Sequence, residues 1–327
     1  MRLHTRIAAA AAAVATSLGV FAAPAAAQDW KPTQPIRVIV PYQPVGTSDI
    51  IARAISEGIP SRLGQTMVVE NRAGGMTQIG TSAVATAPPD GHTLLIVANT
   101  FAVNPSLLPK LPYDPDTDLA PITYAGVTPH TLVVHPSLPV HTLAELVEYA
   151  RKNPGKLSYG SVGNGTSFHL GMEELKQRTG ISLVHIPYKG MGPVLADLMG
   201  NNVQVAFANT PNIVQYVQSG KLRAIAVAHP TRVAQLPDVP TVAEYGLKGF
   251  ESNSWFVFFA PGKTPPNILD TLNKTFVDIL NEPKTRNLLT EQGVEVMATS
   301  RAEAAAFVRR ETDKYAKVVK FAGIKID

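Results

Sequence analysis

The chain of 327 residues contains no cysteine. Disulfides, thiolate metal sites, thiol nucleophiles and anchoring through a lipidated cysteine are therefore excluded. Charge is also sparse, with 17% Asp, Glu, Lys and Arg and a formal net charge of +4. That balance is too mild to provide the basic surface nucleic acid requires. Motifs of hard chemistry are missing too. Gly160-Ser161-Val162-Gly163 would need glycine where Tyr159 stands to be a nucleophile elbow. Gly163-Asn164-Gly165 would need glycine at Phe168 to be a dinucleotide fingerprint. His169 and Glu173 lie one helical turn apart, as metal ligands can, but no His-Glu-x-x-His occurs and a packing or capping His169 is the simpler reading. His130, His135 and His141 show no i,i+4 pairing and read mostly as surface residues. Nothing combines nucleophile, base and orienter, so no enzyme, cofactor or metal is expected.

One long apolar run is present. Ile7 to Ala23 follows Arg2, His4 and Arg6 and precedes Ala25-Ala26-Ala27. This reads as a signal peptide cleaved after Ala27, against the alternative of an N-terminal membrane anchor. Removing Arg2 and Arg6 leaves 27 basic residues against 25 acidic ones, a net +2. No later run reaches the roughly 18 residues of a membrane span, so the remainder is expected to be soluble and, at this length, to form two domains.

After a Pro-containing lead-in, strand and helix alternate. Strands are expected at 36–40, 67–70 and 93–98, with helices from about Ser48 and through Ile79 and Val84. This alternation predicts a parallel sheet covered by helices. Leu111 to Pro115 is a Pro-rich loop. A second series begins near residue 128, with strands at 131–134, 157–159, 184–187, 203–207 and 222–228. Thr142-x-x-Glu145 is a capping box, Thr166 or Ser167 caps the next helix, and Thr210 caps another with Pro211 behind it. Residues 194–199 form a short helix closed by Gly200. A linker-like piece holds Pro237, Pro240, Gly246 and Gly249. Then follow an apolar strand 254–259, read as core around Trp255, a helix from Pro265, a last strand at 294–297 and a capping box at Ser300-x-x-Glu303.

The C-terminal ends of the strands share one chemistry. They are Pro44-Val45-Gly46-Thr47, Asn99-Thr100, Ser161 to Thr166, and Asn209-Thr210. All are small, neutral and polar, and open α/β sheets bind ligands at that edge. Backbone N–H groups at helix starts, with hydroxyls beside them, suit a small carboxylate. The alternative is a set of unrelated strand-to-helix turns.

Several stretches resemble one family. They are Pro41-Tyr42-x-Pro44-x-Gly46-x-x-Asp49, Val69-Glu70-Asn71-Arg72-x-Gly74-Gly75, Pro89-Asp90-Gly91-x-Thr93-Leu94 and Leu111-Pro112-Tyr113-Asp114-Pro115. Ser161-x-Gly163-x-Gly165-Thr166, His185-x-Pro187-Tyr188-Lys189-Gly190 and Pro237-x-Val239-Pro240-Thr241-x-x-Glu244 follow in order. Together they resemble the periplasmic solute receptors of tripartite tricarboxylate transporters, the Bug-type receptors, over essentially the whole mature chain.

The resemblance implies an α/β periplasmic binding protein of type II, with two doubly wound domains joined by two crossing strands. Residues 28–127 plus 251–327 would form domain 1 and 128–250 domain 2. It implies a monomeric, non-enzymatic periplasmic receptor that closes on a di- or tricarboxylate or aromatic carboxylate and delivers it to membrane transporter subunits. A ligand-loaded sensory role toward a membrane kinase is the alternative. The implied ligand residues are Pro44, Val45, Gly46, Thr47, Asp49, Asn99, Thr100, Ser161, Gly163, Asn164, Gly165, Thr166, Ala208 and Asn209. Two positions depart from the family. Val45 replaces the first glycine of a usual Gly-Gly pair, and Ala208 stands where an Asp is frequent. Both favour an acid without an amino group and with an apolar or aromatic body.

Overall fold

A computed structural model describes residues 30–324; the expected signal peptide and its cleavage site lie outside the described residues. Three strand–helix units come first. β1 (Ile36–Val40) leads to α1 (Thr47–Leu63), and β2 (Met67–Asn71) leads through a 3-10 turn (Gly75–Thr77) to α2 (Gln78–Ala85). β3 (Thr93–Val97) leads to α3 (Thr100–Leu107). β1 pairs in parallel with both β2 and β3. Ile51, Ile55 and Ile59 recur at helical spacing on α1 and are fully buried against this sheet.

β4 (Leu119–Val134) then runs sixteen residues into a second series. This comprises α4 (Leu143–Lys152), β5 (Ser158–Ser161), α5 (Ser167–Thr179), β6 (Val184–Pro187), α6 (Met191–Met199), β7 (Val205–Asn209), α7 (Thr210–Gln218) and β8 (Arg223–Val227). The chain returns through β9 (Asn253–Pro261), α8 (Pro266–Leu280), α9 (Pro283–Glu291), β10 (Glu295–Val296) and α10 (Arg301–Ala322). The strand order is β2-β1-β3-β9-β4-β7-β5-β6, with β10 and β8 also on β4. β4 pairs with β9 from Leu119↔Pro261 to Pro129↔Asn253, and with β7 and β8 over its last residues. Two α/β lobes thus share β4, each with an apolar core on both faces of its sheet.

The structure alters several sequence expectations. β4 begins twelve residues before the expected strand at Thr131. Pro121 and Gly126, residues unfavourable within strands, are accommodated in it. Pro121 sits at a register shift, and a β-carbon on Gly126 would stand 2.9 Å from the Glu295 carbonyl oxygen. Thr210 is the first residue of α7, whose N-cap is Asn209. Its hydroxyl donates to the Pro129 carbonyl at 3.0 Å. Gly200 ends α6 with φ −82°, so glycine's special conformation is not used there. At α4, Thr142 caps as expected, but Glu145 reaches the His141 N–H instead of Thr142's own. The linker-like piece hides a full capping box, Thr241 with Glu244, and α9 was not foreseen. Trp255 is core, fully buried with its indole N–H donating to Glu311 at 3.2 Å.

His130 is not a surface residue. It is fully buried where β4 passes between the lobes. Its ring bonds Ser252 Oγ at 2.9 Å through Nδ1 and Ser254 Oγ at 3.1 Å through Nε2, and stacks on Phe168 at 4.2 Å. Burial, helped by the charge on Lys314, pushes this imidazole down to about 3. An unfolded imidazole titrates near about 6.5, so between these values the unfolded chain binds more protons. Stability from this group is therefore full above about pH 6.5 and falls as pH drops through that window, by about 1.4 kcal/mol per pH unit. Urea unfolding at pH 7 and pH 5 checks this. His130→Asn is expected to lose less stability between the two than the parent chain; equal losses would refute it.

Candidate functional site

Five helices, α1, α2, α3, α5 and α7, begin just past the C-terminal ends of β1, β2, β3, β5 and β7. Their N-caps are Gly46, Thr77, Asn99, Thr166 and Asn209, and none closes its helix with a side-chain hydrogen bond. Elsewhere α4 and α10 are capped by Thr142 and Ser300. Four of the five residues are polar and able to cap, but their side chains are engaged elsewhere. Thr166 Oγ1 donates to the Gly163 carbonyl at 2.8 Å. Thr77 Oγ1 faces Asn104 Nδ2 at 3.5 Å. Asn99 donates to the Asn253 carbonyl and to Tyr315 Oη, at 3.0 and 2.8 Å, and accepts the Trp255 N–H at 3.1 Å. Asn209 Oδ1 accepts from Ser254 Oγ at 3.4 Å. At α3 the Phe101 and Ala102 N–H groups donate to the Ala98 and Asn99 carbonyls, and at α2 the Gln78 N–H donates to the Gly75 carbonyl. At α1, α5 and α7 the first turn faces the sheet edge without a side-chain cap, which favours negative charge there.

On the first lobe, Tyr42 braces this edge. Its hydroxyl accepts the Ala98 N–H at 2.9 Å, and its carbonyl accepts from Asn71 Nδ2 at 3.3 Å. Burial pushes the phenol up to about 12, so it stays neutral. Pro44, Val45 and Gly46 are exposed, and Thr47 and Thr100 half-buried. Asp49 is buried and turned to a local task. It accepts the Val45 N–H at 3.1 Å and pairs with Arg53 through both oxygens, at 2.9 and 3.1 Å. Arg53 holds its carboxyl below the usual range.

On the second lobe the loop 161–166 is tied inward. Ser161 is fully buried, Gly165 buried, Gly163 and Thr166 half-buried and Asn164 exposed. Ser161 Oγ accepts the Gly163 N–H at 3.2 Å and lies 2.6 Å from His185 Nε2. A hydroxyl so close to an imidazole has the spacing of a nucleophile and its base. Ser161 has no exposed surface, and Glu173 is spent on Tyr159 and Lys176, at 2.6 Å each. The pair therefore reads as structural. Asn209 is half-buried near the loop ends. Ala208 is fully buried, its methyl in the second lobe's core with Val133, Val194 and Ile213.

The two lobes meet at this edge. A β-carbon on Gly165 would stand 2.3 Å from Leu107 Cδ1 of α3 and 3.8 Å from Met76 Cε. Leu107 and the turn at 74–77 are thus neighbours of the second-lobe loop that the sequence reading missed. Four successive residues there have positive φ: Gly74 132°, Gly75 54°, Met76 51° and Thr77 75°. The Gly74-Gly75 pair was the available signal. Surface concavities are also present among the described residues. One of about 470 Å³ adjoins Trp30, Asp270 and Asp278, and its two carboxylates pair with Arg301 and Lys274 at 2.6 Å. Another, of about 250 Å³, lies between His229, Arg286 and Glu295 and is also lined by Pro129 and Thr210, at the start of α7. Among the described residues, no three acidic or histidine side chains cluster to hold a metal, and no helix is long and apolar enough to cross a membrane.

The model of the tripartite tricarboxylate transporter family receptor matches residues 51–324. Protein BugT of Bordetella pertussis is 35% identical over 317 residues, which cover 94% of this chain and 97% of that protein. An R. palustris protein solved with adipate is 35% identical, with TM-score 0.78, covering 90% of this chain and 99% of its own. MatC from Rhodopseudomonas palustris, solved with bound malate, is 30% identical, with TM-score 0.74, covering 88% and 99%.

Val45 and Thr77 are β-branched residues with positive φ at this edge. At Val45 φ is 68°, and the side chain is 80% exposed. A β-branched residue in that region clashes with its own backbone, at a cost of about 1–2 kcal/mol. The Asp49–Arg53 clamp on its N–H helps to hold the bend. Val45→Gly is expected to stabilise the chain by up to about 1 kcal/mol, after the added freedom of the unfolded glycine is subtracted. Urea titration measures it. A loss of stability would show that the valine is not strained.

Proposed function

The chain belongs to the tripartite tricarboxylate transporter receptor family, and on that premise we propose that it captures a small organic carboxylate between its two lobes. The observation that carries this reading is the set of helix starts with diverted caps, facing one another from both lobes. Such a site holds an anion by backbone N–H groups and hydroxyls without a cationic side chain. Relatives solved with adipate and with malate support the same ligand class.

The proposed ligand residues are Gly46 and Thr47 on one side and Gly163, Asn164, Gly165 and Thr166 on the other. Thr100 and Asn209 flank them, and Pro44 and Val45 form the lip. Asp49, Asn99 and Ser161 shape the loops from behind. We take residues 28–127 with 251–327, and 128–250, as the two domains of a monomer that closes about the strands they share. It acts in the periplasm after cleavage behind Ala27, without turnover, and delivers its ligand to membrane transporter subunits. Val45 adds an apolar wall where glycine is usual in this family. We therefore propose an acid with an apolar or aromatic body and no amino group.

Two measurements test this. In a thermal-shift panel, adipate or benzoate is expected to raise the melting temperature by several degrees. At a hundredfold excess over Kd, binding to the folded state alone adds about 2.7 kcal/mol. A rise with aspartate or glutamate and none with adipate or benzoate would sink the ligand class. Next, Gly165→Ala puts a methyl against Leu107 at a φ of 72°. It should weaken the acid found by the panel by at least about tenfold in calorimetry, and Leu107→Ala in the same chain should restore part of the loss. Undiminished affinity in Gly165→Ala would remove this loop from the site.

A further inference from the structure

Beneath the 161–166 loop lies a pile of three rings from three elements. Tyr159 of β5, His185 of β6 and His169 of α5 stack on one another. The His169 and His185 centroids are 3.9 Å apart at 9°, and those of Tyr159 and His185 are 4.8 Å apart at 21°. Each imidazole takes one end of the loop. His169 Nδ1 accepts the Gly165 N–H at 3.1 Å. His185 Nε2 meets Ser161 Oγ at 2.6 Å, and Ser161 Oγ accepts the Gly163 N–H and also lies in donating reach of the Gly163 carbonyl, each at 3.2 Å. Gly163 and Gly165 both have positive φ, at 126° and 72°.

We propose that His169 and His185 are positioning residues for this loop, and that His169 holds it in its anion-accepting shape only while its ring is neutral. This rests on the reading of that loop as one jaw of the ligand site. The argument is one of hydrogen-bond roles. An Nδ1 that accepts an N–H carries no proton, so the neutral proton of His169 sits on Nε2, which lies 4.0 Å from Glu173 Oε1. Protonating Nδ1 turns an acceptor into a donor aimed at a donor, and charges a ring stacked face to face on another. The surroundings oppose that change. Tyr159 is neutral, and Glu173 is already bonded to Tyr159 and to the Lys176 ammonium. Burial is the main cause that disfavours either imidazolium. His185 and then Lys176 add to it at His169, which lies at about 3, while at His185 Glu173 opposes it and Lys176 adds to it, leaving that ring at about 4. The loop is thereby insulated from pH changes across the range in which an ordinary exposed imidazole titrates.

The test uses the unliganded chain, so its result does not depend on whether any carboxylate binds. Nitrogen-15 NMR reads the histidine tautomers and the exchange of the Gly165 amide. In the parent chain, His169 Nδ1 is expected to be unprotonated from pH 8 to pH 5, with an unchanged Gly165 resonance. His169→Phe keeps a stacking ring and loses the acceptor, and should speed Gly165 exchange about tenfold, as expected for one lost hydrogen bond. His169→Asn returns an acceptor near the same place and should restore protection. A protonated Nδ1 at pH 7 would overturn the proposal even if neither variant folds. So would equal Gly165 exchange in the parent and His169→Phe, or variants that behave alike.

Discussion

The pairing of β4 with β9 is the constraint on which the rest of the molecule depends. The ladder ends at Pro129↔Asn253, where the two lobes diverge. The residues at that end of β9 then serve both sides. Asn253 and Trp255 receive the side chain of Asn99 from the first lobe. Ser252 and Ser254 hold His130, and Ser254 also reaches Asn209 of the second lobe. Two strand ends from different lobes are thereby referenced to four consecutive residues. A glycine makes the packing possible, since a β-carbon on Gly171 of α5 would stand 2.0 Å from Ser252 Oγ. Loops placed by so short a rigid segment can face one another with little slack.

The edge above this segment is built from neutral groups. Asn and Thr at helix starts ordinarily satisfy the first N–H groups themselves. Here Asn99, Thr166 and Asn209 turn their side chains to other partners, and Gly46 has none to offer. The starts of α1, α5 and α7 are left without a side-chain cap and with a partial positive charge, whereas α3 closes its first turn on the Ala98 and Asn99 carbonyls. An anion held this way costs less desolvation than one paired with a buried cation. The carboxylate of the first-lobe loop, Asp49, is paired with Arg53 and occupied by the Val45 N–H. It shapes the loop without presenting its charge to an incoming anion.

Much of this was legible in the sequence, and the exceptions have physical causes. β-branched runs alternating with amphipathic segments revealed the first three strand–helix units, because each element there follows local preference. β4 was half concealed, since Pro121 and Gly126 are tolerated only through a register shift and close packing that tertiary structure supplies. The strand ends were visible as small polar residues, and they do gather at one edge. Their individual roles were not visible. Thr166 resembled a cap by position but bonds backward to Gly163, and Asn99 faces away from the edge it helps to form. The ring pile beneath the second loop left no periodic trace, because Ser161 and His185 lie 24 positions apart. Val45 was noticed as a departure from a glycine pattern, and the positive φ explains why glycine suits the position.

A crystal structure grown with the small acid that binds most tightly is the most direct measurement of the central claim. The account predicts its carboxylate between the Gly46–Thr47 and Gly163–Thr166 loops, accepting hydrogen bonds from backbone N–H groups of both lobes. A ligand seated instead in the concavity beside Trp30, or held chiefly by arginine and lysine side chains, would contradict it.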